Sequence, residues 1–182
     1  MSVAPDLLMT AKEWEAFDAP DQRYELSDGV LVMSPRPILV HQHLCRRLAN
    51  VLDEQLATAV PVLEVEVVID SAHPPTYRTP DISVVRAEVV SRGPAGLVPA
   101  DVLLAVEVVS PGSRTTDDIT KPYQYARAGI PLLLIGDVEA EPQLTLLQLH
   151  SGGYRMTQSG AMVNFILDSA PINVTLSPLL RT

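Results

Sequence analysis

Apolar residues at Leu44, Cys45, Leu48, Val51, Leu52 and Leu56 recur at helical spacing across residues 41–57, with Arg46, Arg47, Asn50, Asp53 and Glu54 between them. A period near 3.6 predicts an amphipathic helix with one face in a core. Over residues 61–70 the period changes to two: Leu63, Val65, Val67 and Ile69 alternate with Glu64, Glu66, Val68 and Asp70. That pattern predicts one half-buried strand with its glutamates toward water. Runs rich in branched residues at 81–86 and 101–110 predict two more strands, separated by a loop containing Gly93, Pro94 and Gly96.

A helix is predicted from near Asp117 to Ala128, stopped by Gly129 and capped by Asp117 or Asp118, with Pro122 tolerated in its first turn because those amides lack partners inside the helix. Strands follow at 131–137 and 143–150, and weaker ones at 161–167 and 172–176. Toward the N-terminus, Thr10 and Glu13 have capping-box spacing and open a short helix whose Trp14 and Phe17 are suited to anchor it. Asp28-Gly29 between Arg23-Tyr-Glu25-Leu-Ser and Val30-Leu-Val-Met33 is a hairpin signal, and it places Glu25 on the first strand. The order of elements, without internal repeats, predicts an α/β (α+β) fold around a mixed sheet.

Composition narrows the class. The 182 residues are 47% hydrophobic and 19% charged, and the sixteen prolines are scattered rather than periodic, which predicts one globular domain over residues 1–182. Its core is expected at about 23–137, with C-terminal strands within 143–176. No apolar run approaches the roughly 20 residues that span a bilayer, and the N-terminus lacks a basic start followed by an apolar stretch. A cytoplasmic protein with no membrane partner is expected. Cys45, the single cysteine, cannot form an internal disulfide and is read as a small core residue. A net charge of −9 and a pI near 4.8 count against a broad basic surface for nucleic acid, although a site that holds cations among carboxylates is acidic by necessity.

No glycine-rich phosphate loop, Gly-x-Ser-x-Gly elbow, cysteine pair or His-Glu-x-x-His is present. The anomaly is Glu107, set in Val102-Leu-Leu-Ala-Val-Glu107-Val-Val. A carboxylate on a buried strand costs several kcal/mol, roughly, unless a cation compensates it. Asp81 begins a strand just after Pro80; if the two strands are neighbours, Asp81 and Glu107 meet. Two carboxylates plus a strand carbonyl, that of Val108, are sufficient protein ligands for a hard divalent ion such as magnesium. His41 and His43, two apart on a helix, face different ways and are not expected to share a metal, but His41 is placed to line the cleft. Arg78 is read either as a phosphate contact or as a surface ion pair.

These pieces fall in an order that resembles a known family. Arg23-Tyr-Glu25-Leu-Ser-Asp28-Gly29, Ser34-Pro35 with His41-Gln42, Arg78-Thr-Pro80-Asp81, Glu107-Val-Val-Ser110-Pro111, Asp117…Lys121…Tyr125 and Ala128-Gly-Ile-Pro131 are similar to the Uma-two family of restriction-endonuclease-like proteins, within the Pro-Asp…Glu-x-Lys nuclease superfamily. The resemblance implies a restriction-endonuclease-like fold with Asp81 and Glu107 as metal ligands and Mg2+ or Mn2+ as the ion. It further implies a DNA substrate and a homodimer. The superfamily lysine would stand two residues after Glu107, where this chain has Val109; in the subfamily it is moved to the next helix, where Lys121 matches. Glu25 matches an N-terminal acidic position that completes the metal site or positions its water. Tyr125, one turn beyond Lys121, either bonds a site residue or packs under the lysine. Leu132-Leu-Leu-Ile135 replaces the aromatics of many relatives, with a consequence expected for packing only.

Each residue also has a structural reading: an ion pair for Glu107, a strand-start cap for Asp81, a solvated lysine for Lys121, a hairpin position for Glu25. At the level of function the alternative is a catalytically weak nuclease-like binding or dimerisation module. A glycosidase using two carboxylates is disfavoured by an aromatic content of 4%, which offers little surface for sugar stacking.

Overall fold

The computed structural model describes residues 8–19, 22–34, 37–109, 119–137 and 142–180. Among these, a six-stranded mixed sheet runs in the order β10-β9-β8-β7-β6-β3 and a four-stranded antiparallel sheet in the order β2-β1-β5-β4. In the large sheet, β3 is Ala59–Leu63, β6 Ile82–Arg86, β7 Val102–Val108, β8 Leu132–Asp137, β9 Gln143–His150 and β10 Gly153–Gly160. Among the described residues of this sheet only β7 and β8 pair in parallel; the helix α4 (Lys121–Ala128) lies in the crossover between them. The small sheet comprises β1 (Arg23–Ser27), β2 (Val30–Ser34), β4 (Val67–Asp70) and β5 (Thr76–Arg78). A separate hairpin pairs β11 (Met162–Leu167) with β12 (Ala170–Thr175), followed by the short α5 (Leu176–Leu179).

The large sheet is covered on both faces, which is why its central strands are apolar throughout rather than alternating. On one face, Ile82, Leu104, Val106 and Val108 pack against Leu44, Cys45, Leu48 and Leu52 of α2 (Leu39–Asp53) and against the β11–β12 hairpin. On the other, Val85, Ala105, Val109 and Leu133 pack against Tyr125 of α4 and Val67 of β4. Period-two alternation along β7 therefore puts Glu107 on the α4 side, between Ala105 and Val109.

Local signals in the sequence are borne out. Thr10 and Glu13 form the capping box of α1 (Ala11–Glu15), and Trp14 stacks on Phe17 and packs at a tilt against Tyr77 while donating its ring N–H to Glu66 at 2.9 Å. Asp28 and Gly29 both have positive φ, 48° and 77°, as a two-residue hairpin turn of the twisted kind requires. Cys45 is buried.

Other expectations are corrected. The helix expected at 41–57 runs Leu39–Asp53 and stops before Leu56. Strand β7 begins at Val102, because Pro99–Asp101 forms a 3-10 turn, and a helix not expected from sequence, α3 (Ala87–Arg92), precedes the glycine-rich loop. The single strand expected at 61–70 is two, β3 and β4, broken at Glu64, whose φ of 53° lies in the left-handed region that interrupts a pleat. Glu66, expected in water, is half-buried against Trp14.

The break is matched on the partner strand. β3 pairs β6 with Leu63 opposite Ile82, and β4 pairs β5 with Val67 opposite Arg78. Residues 59–86 thus form one long antiparallel ribbon that bends at 64–66 and 79–81, its lower half in the large sheet and its upper half in the small one. The Glu64 amide donates to the Asp81 carbonyl at 3.2 Å across the bend.

Candidate active site

The bend in the ribbon and the C-terminal end of β7 place the predicted residues in two groups: Glu25, Glu107 and Lys121 together with Arg78 and Tyr125, and Asp81 with His41 and the Val108 amide. Glu25, from β1, has both oxygens occupied: Oε2 accepts from Arg78 Nη1 at 2.9 Å and Oε1 from the Thr79 amide at 2.8 Å. Arg78 is among the most buried residues of the protein. Its Nε donates to Gln124 Oε1 and its Nη2 to Ser27 Oγ, each at 2.8 Å. The surface ion pair or phosphate contact expected for Arg78 is thereby corrected. A planar guanidinium whose fixed donors meet three acceptors at once satisfies this buried position in a way that a single ammonium does not.

Glu107 is equally enclosed. Lys121 Nζ donates to its Oε2 at 2.9 Å and Tyr125 O–H to its Oε1 at 2.6 Å. The same ammonium lies 3.7 Å from Glu25 Oε1. Lys121 opens α4, and Pro122 at the next position fixes the helical start that aims the lysine back at β7. Tyr125 follows one turn later on the same face. Two carboxylates, Glu25 and Glu107, thus alternate with two cations, Arg78 and Lys121, so the buried cluster is neutral as a unit. Burial raises the Tyr125 phenol well above its ordinary range, and the charges of Glu107 and Glu25 add to this, so the hydroxyl remains a donor to Glu107.

Asp81 stands at the bend, beside the end of β7. Its Oδ2 accepts the Val108 N–H at 2.7 Å and lies 3.2 Å from His41 Nε2. Val108 therefore meets Asp81 through its amide, where the sequence suggested its carbonyl. Oδ1 of Asp81 makes no hydrogen bond among the described residues, and the side chain retains 18% exposure. Val109, where the superfamily lysine would stand, is buried in the apolar cluster on the α4 side.

His41 has a definite partner across forty residues of chain. It continues the inward stripe of α2, one turn before Cys45, whose Sγ lies 3.6 Å from His41 Nδ1. The Cys45 thiol is pushed up, by burial first and then by the charges of Asp81, Glu64 and Glu107, so it stays protonated. The helical spacing 41, 44, 45, 48 was the signal for an inward His41. Asp117, Asp118, Ser110, Pro111 and Pro35 lie outside the described residues.

Asp81, with Oδ1 making no hydrogen bond among the described residues, forms a compact group with His41 and Cys45 whose ligand atoms all lie within 4.8 Å of one another, and its carboxylate is a hard donor of the kind that magnesium or manganese takes.

The model of the Uma2 family, described as "Putative restriction endonuclease", matches residues 8–177. Among solved structures, the chain is similar to one described as "a putative nuclease belonging to DUF820" from Anabaena variabilis ATCC 29413. The TM-score is 0.62 at 16% identity, over 81% of this chain and 83% of that one, a likeness of fold. No curated protein matches the chain.

Proposed function

The chain belongs to the Uma2 family of restriction-endonuclease-like proteins, and on that premise we propose a divalent-metal-dependent nuclease that hydrolyses phosphodiester bonds of DNA. The observation that carries the reading is Lys121 Nζ at 2.9 Å from Glu107 Oε2, which returns an ammonium to the glutamate although Val109 fills the usual lysine position.

In this reading Asp81 and Glu107, with the Val108 carbonyl, hold Mg2+ or Mn2+, which when bound lowers the pKa of a water and neutralises phosphoryl charge. Lys121 keeps its proton on Nζ and donates it as a hydrogen bond to the attacking water or to a phosphoryl oxygen as negative charge develops. Glu25 acts through Lys121 and Arg78, holding both in register from the small sheet. Tyr125 fixes the rotamer of Glu107 through Oε1. Three carboxylates, two side-chain cations and one divalent ion leave a single positive charge with His41 neutral, the complement of one phosphodiester. Residues 1–182 act as one domain in a cytoplasmic homodimer, an arrangement that pairs two sites for two strands.

A second reading, a catalytically weak nuclease-like binding or dimerisation module, draws on the completeness of the Glu25–Arg78 and Glu107–Lys121 pairing, which needs no metal for neutrality. Incubation of plasmid or single-stranded DNA with Mg2+ or Mn2+ separates the two. The nuclease reading expects cleavage by the protein and a loss of about a hundredfold or more in each of Asp81→Ala, Glu107→Ala and Lys121→Ala. Equal cleavage by all four proteins would expose a contaminant and remove the nuclease reading; metal binding without cleavage would favour the module.

A further inference from the structure

The geometry points to His41, through Nε2, as a protein ligand of the metal at Asp81. This inference rests on the proposed metal site and adds a nitrogen to its oxygen donors.

Two observations carry it. First, Asp81 Oδ2 already receives the Val108 N–H at 2.7 Å, a short and well-formed bond, whereas His41 Nε2 stands off at 3.2 Å, at the long limit for an N–H donor. A separation of 3.2 Å is also the spacing of neighbouring vertices around an ion that binds each donor at about 2.0–2.2 Å. Second, the pair is the part of the site nearest solvent: the His41 and Asp81 side chains retain 12% and 18% exposure, against 1% for Glu107. Water and an ion reach this pair without opening the core. Cys45, behind the ring, completes a compact group of three potential donors, but as a buried thiol it packs rather than ligates.

An imidazole ligand changes which metal is favoured. Magnesium prefers oxygen donors and keeps its waters, while manganese and the later transition ions accept a nitrogen readily. The site is therefore tuned toward Mn2+, and the selectivity resides in His41.

Pulsed electron paramagnetic resonance on the Mn2+-loaded protein tests this directly, because a coordinated imidazole imprints 14N modulation on the manganese echo. Modulation is expected in the unsubstituted protein and in His43→Ala, and is expected to vanish in His41→Ala and, with the bound ion itself, in Asp81→Asn. Calorimetric titration should show Mn2+ affinity falling about tenfold or more in His41→Ala, a loss at least as large as that for removing a residue that merely orients a ligand, with Mg2+ affinity falling less. Asp81-dependent Mn2+ binding without nitrogen modulation in the unsubstituted protein would overturn the assignment whether or not any variant folds. So would an unchanged metal preference in His41→Ala. Modulation that depends on His41 in a protein that cleaves no DNA would support the ligand while removing the nuclease reading. Metal-dependent cleavage with no nitrogen at the manganese would do the reverse.

Discussion

Lys121 Nζ meets Glu107 Oε2 at 2.9 Å although the two residues lie fourteen apart in sequence and on different elements. A buried carboxylate and a buried ammonium that neutralise each other are roughly neutral for stability as a pair, but each is expensive alone.

Lys121→Met is accordingly expected to destabilise the protein by about 3–5 kcal/mol, because it leaves the Glu107 charge enclosed. Adding Glu107→Gln should recover a large part of that loss. Urea denaturation of the single and double variants gives the coupling; strictly additive losses would show that the pair does not interact as described.

Restoring the superfamily lysine in place should fail. Val109→Lys puts an ammonium into the apolar cluster that holds Tyr125, Ile130 and Val67, while Glu107, two residues away, already pairs with Lys121. A stability loss of several kcal/mol, roughly, is expected, together with no rescue of metal-dependent cleavage in Lys121→Ala/Val109→Lys. Recovery of cleavage would mean that the two positions are interchangeable.

Arg78→Lys keeps the charge and loses the fork. The guanidinium satisfies Glu25, Gln124 and Ser27 in fixed directions, and one ammonium on a shorter reach cannot. The expected cost is about 2–4 kcal/mol by chemical denaturation, with Tm following; a neutral substitution would contradict the buried network.

Glu66 supplies a pH dependence. Burial raises its carboxyl above 4.5, opposed in part by the Trp14 hydrogen bond, so the folded chain binds this proton more tightly than the unfolded one. Its contribution is fully present below the unfolded pKa and is lost as pH rises through the higher folded value. Glu66→Gln keeps an acceptor for Trp14 and removes the charge; it should melt higher than the parent near pH 7, with the advantage closing toward about pH 4. Thermal melts at the two pH values check both sign and window.

What the sequence made legible was local or chemical. The α2 stripe, the Asp28-Gly29 turn and the Thr10–Glu13 box are each written within a few neighbouring residues, and the structure has them all. The split of 61–70 was hidden because Val65 and Val67 continue the alternation straight through the bend, and only the backbone at Glu64 departs from it. β5 has three residues, too few to show a period, and β10 has a largely polar, exposed sequence (Gly-Tyr-Arg-Met-Thr-Gln-Ser-Gly) that earns its place by pairing with β9. In the site, Glu107 could be singled out by its apolar surroundings, and Asp81 and Lys121 by their motif. Arg78 and His41 could not be given partners, since Glu25 and Asp81 are brought to them only by long-range pairing of strands and packing of α2.

The bent ribbon has a consequence for the history of each molecule. Glu25 and Arg78 belong to the small sheet, Asp81 lies at the bend, Glu107 belongs to the large sheet, and α4 supplies Lys121 only where the two meet. Neither sheet alone contains the constellation. A nascent or damaged chain with one sheet formed would hold acidic residues but no assembled centre. The bend at Glu64 and Asp81 thus acts as a checkpoint, withholding the assembled cluster until the fold is whole.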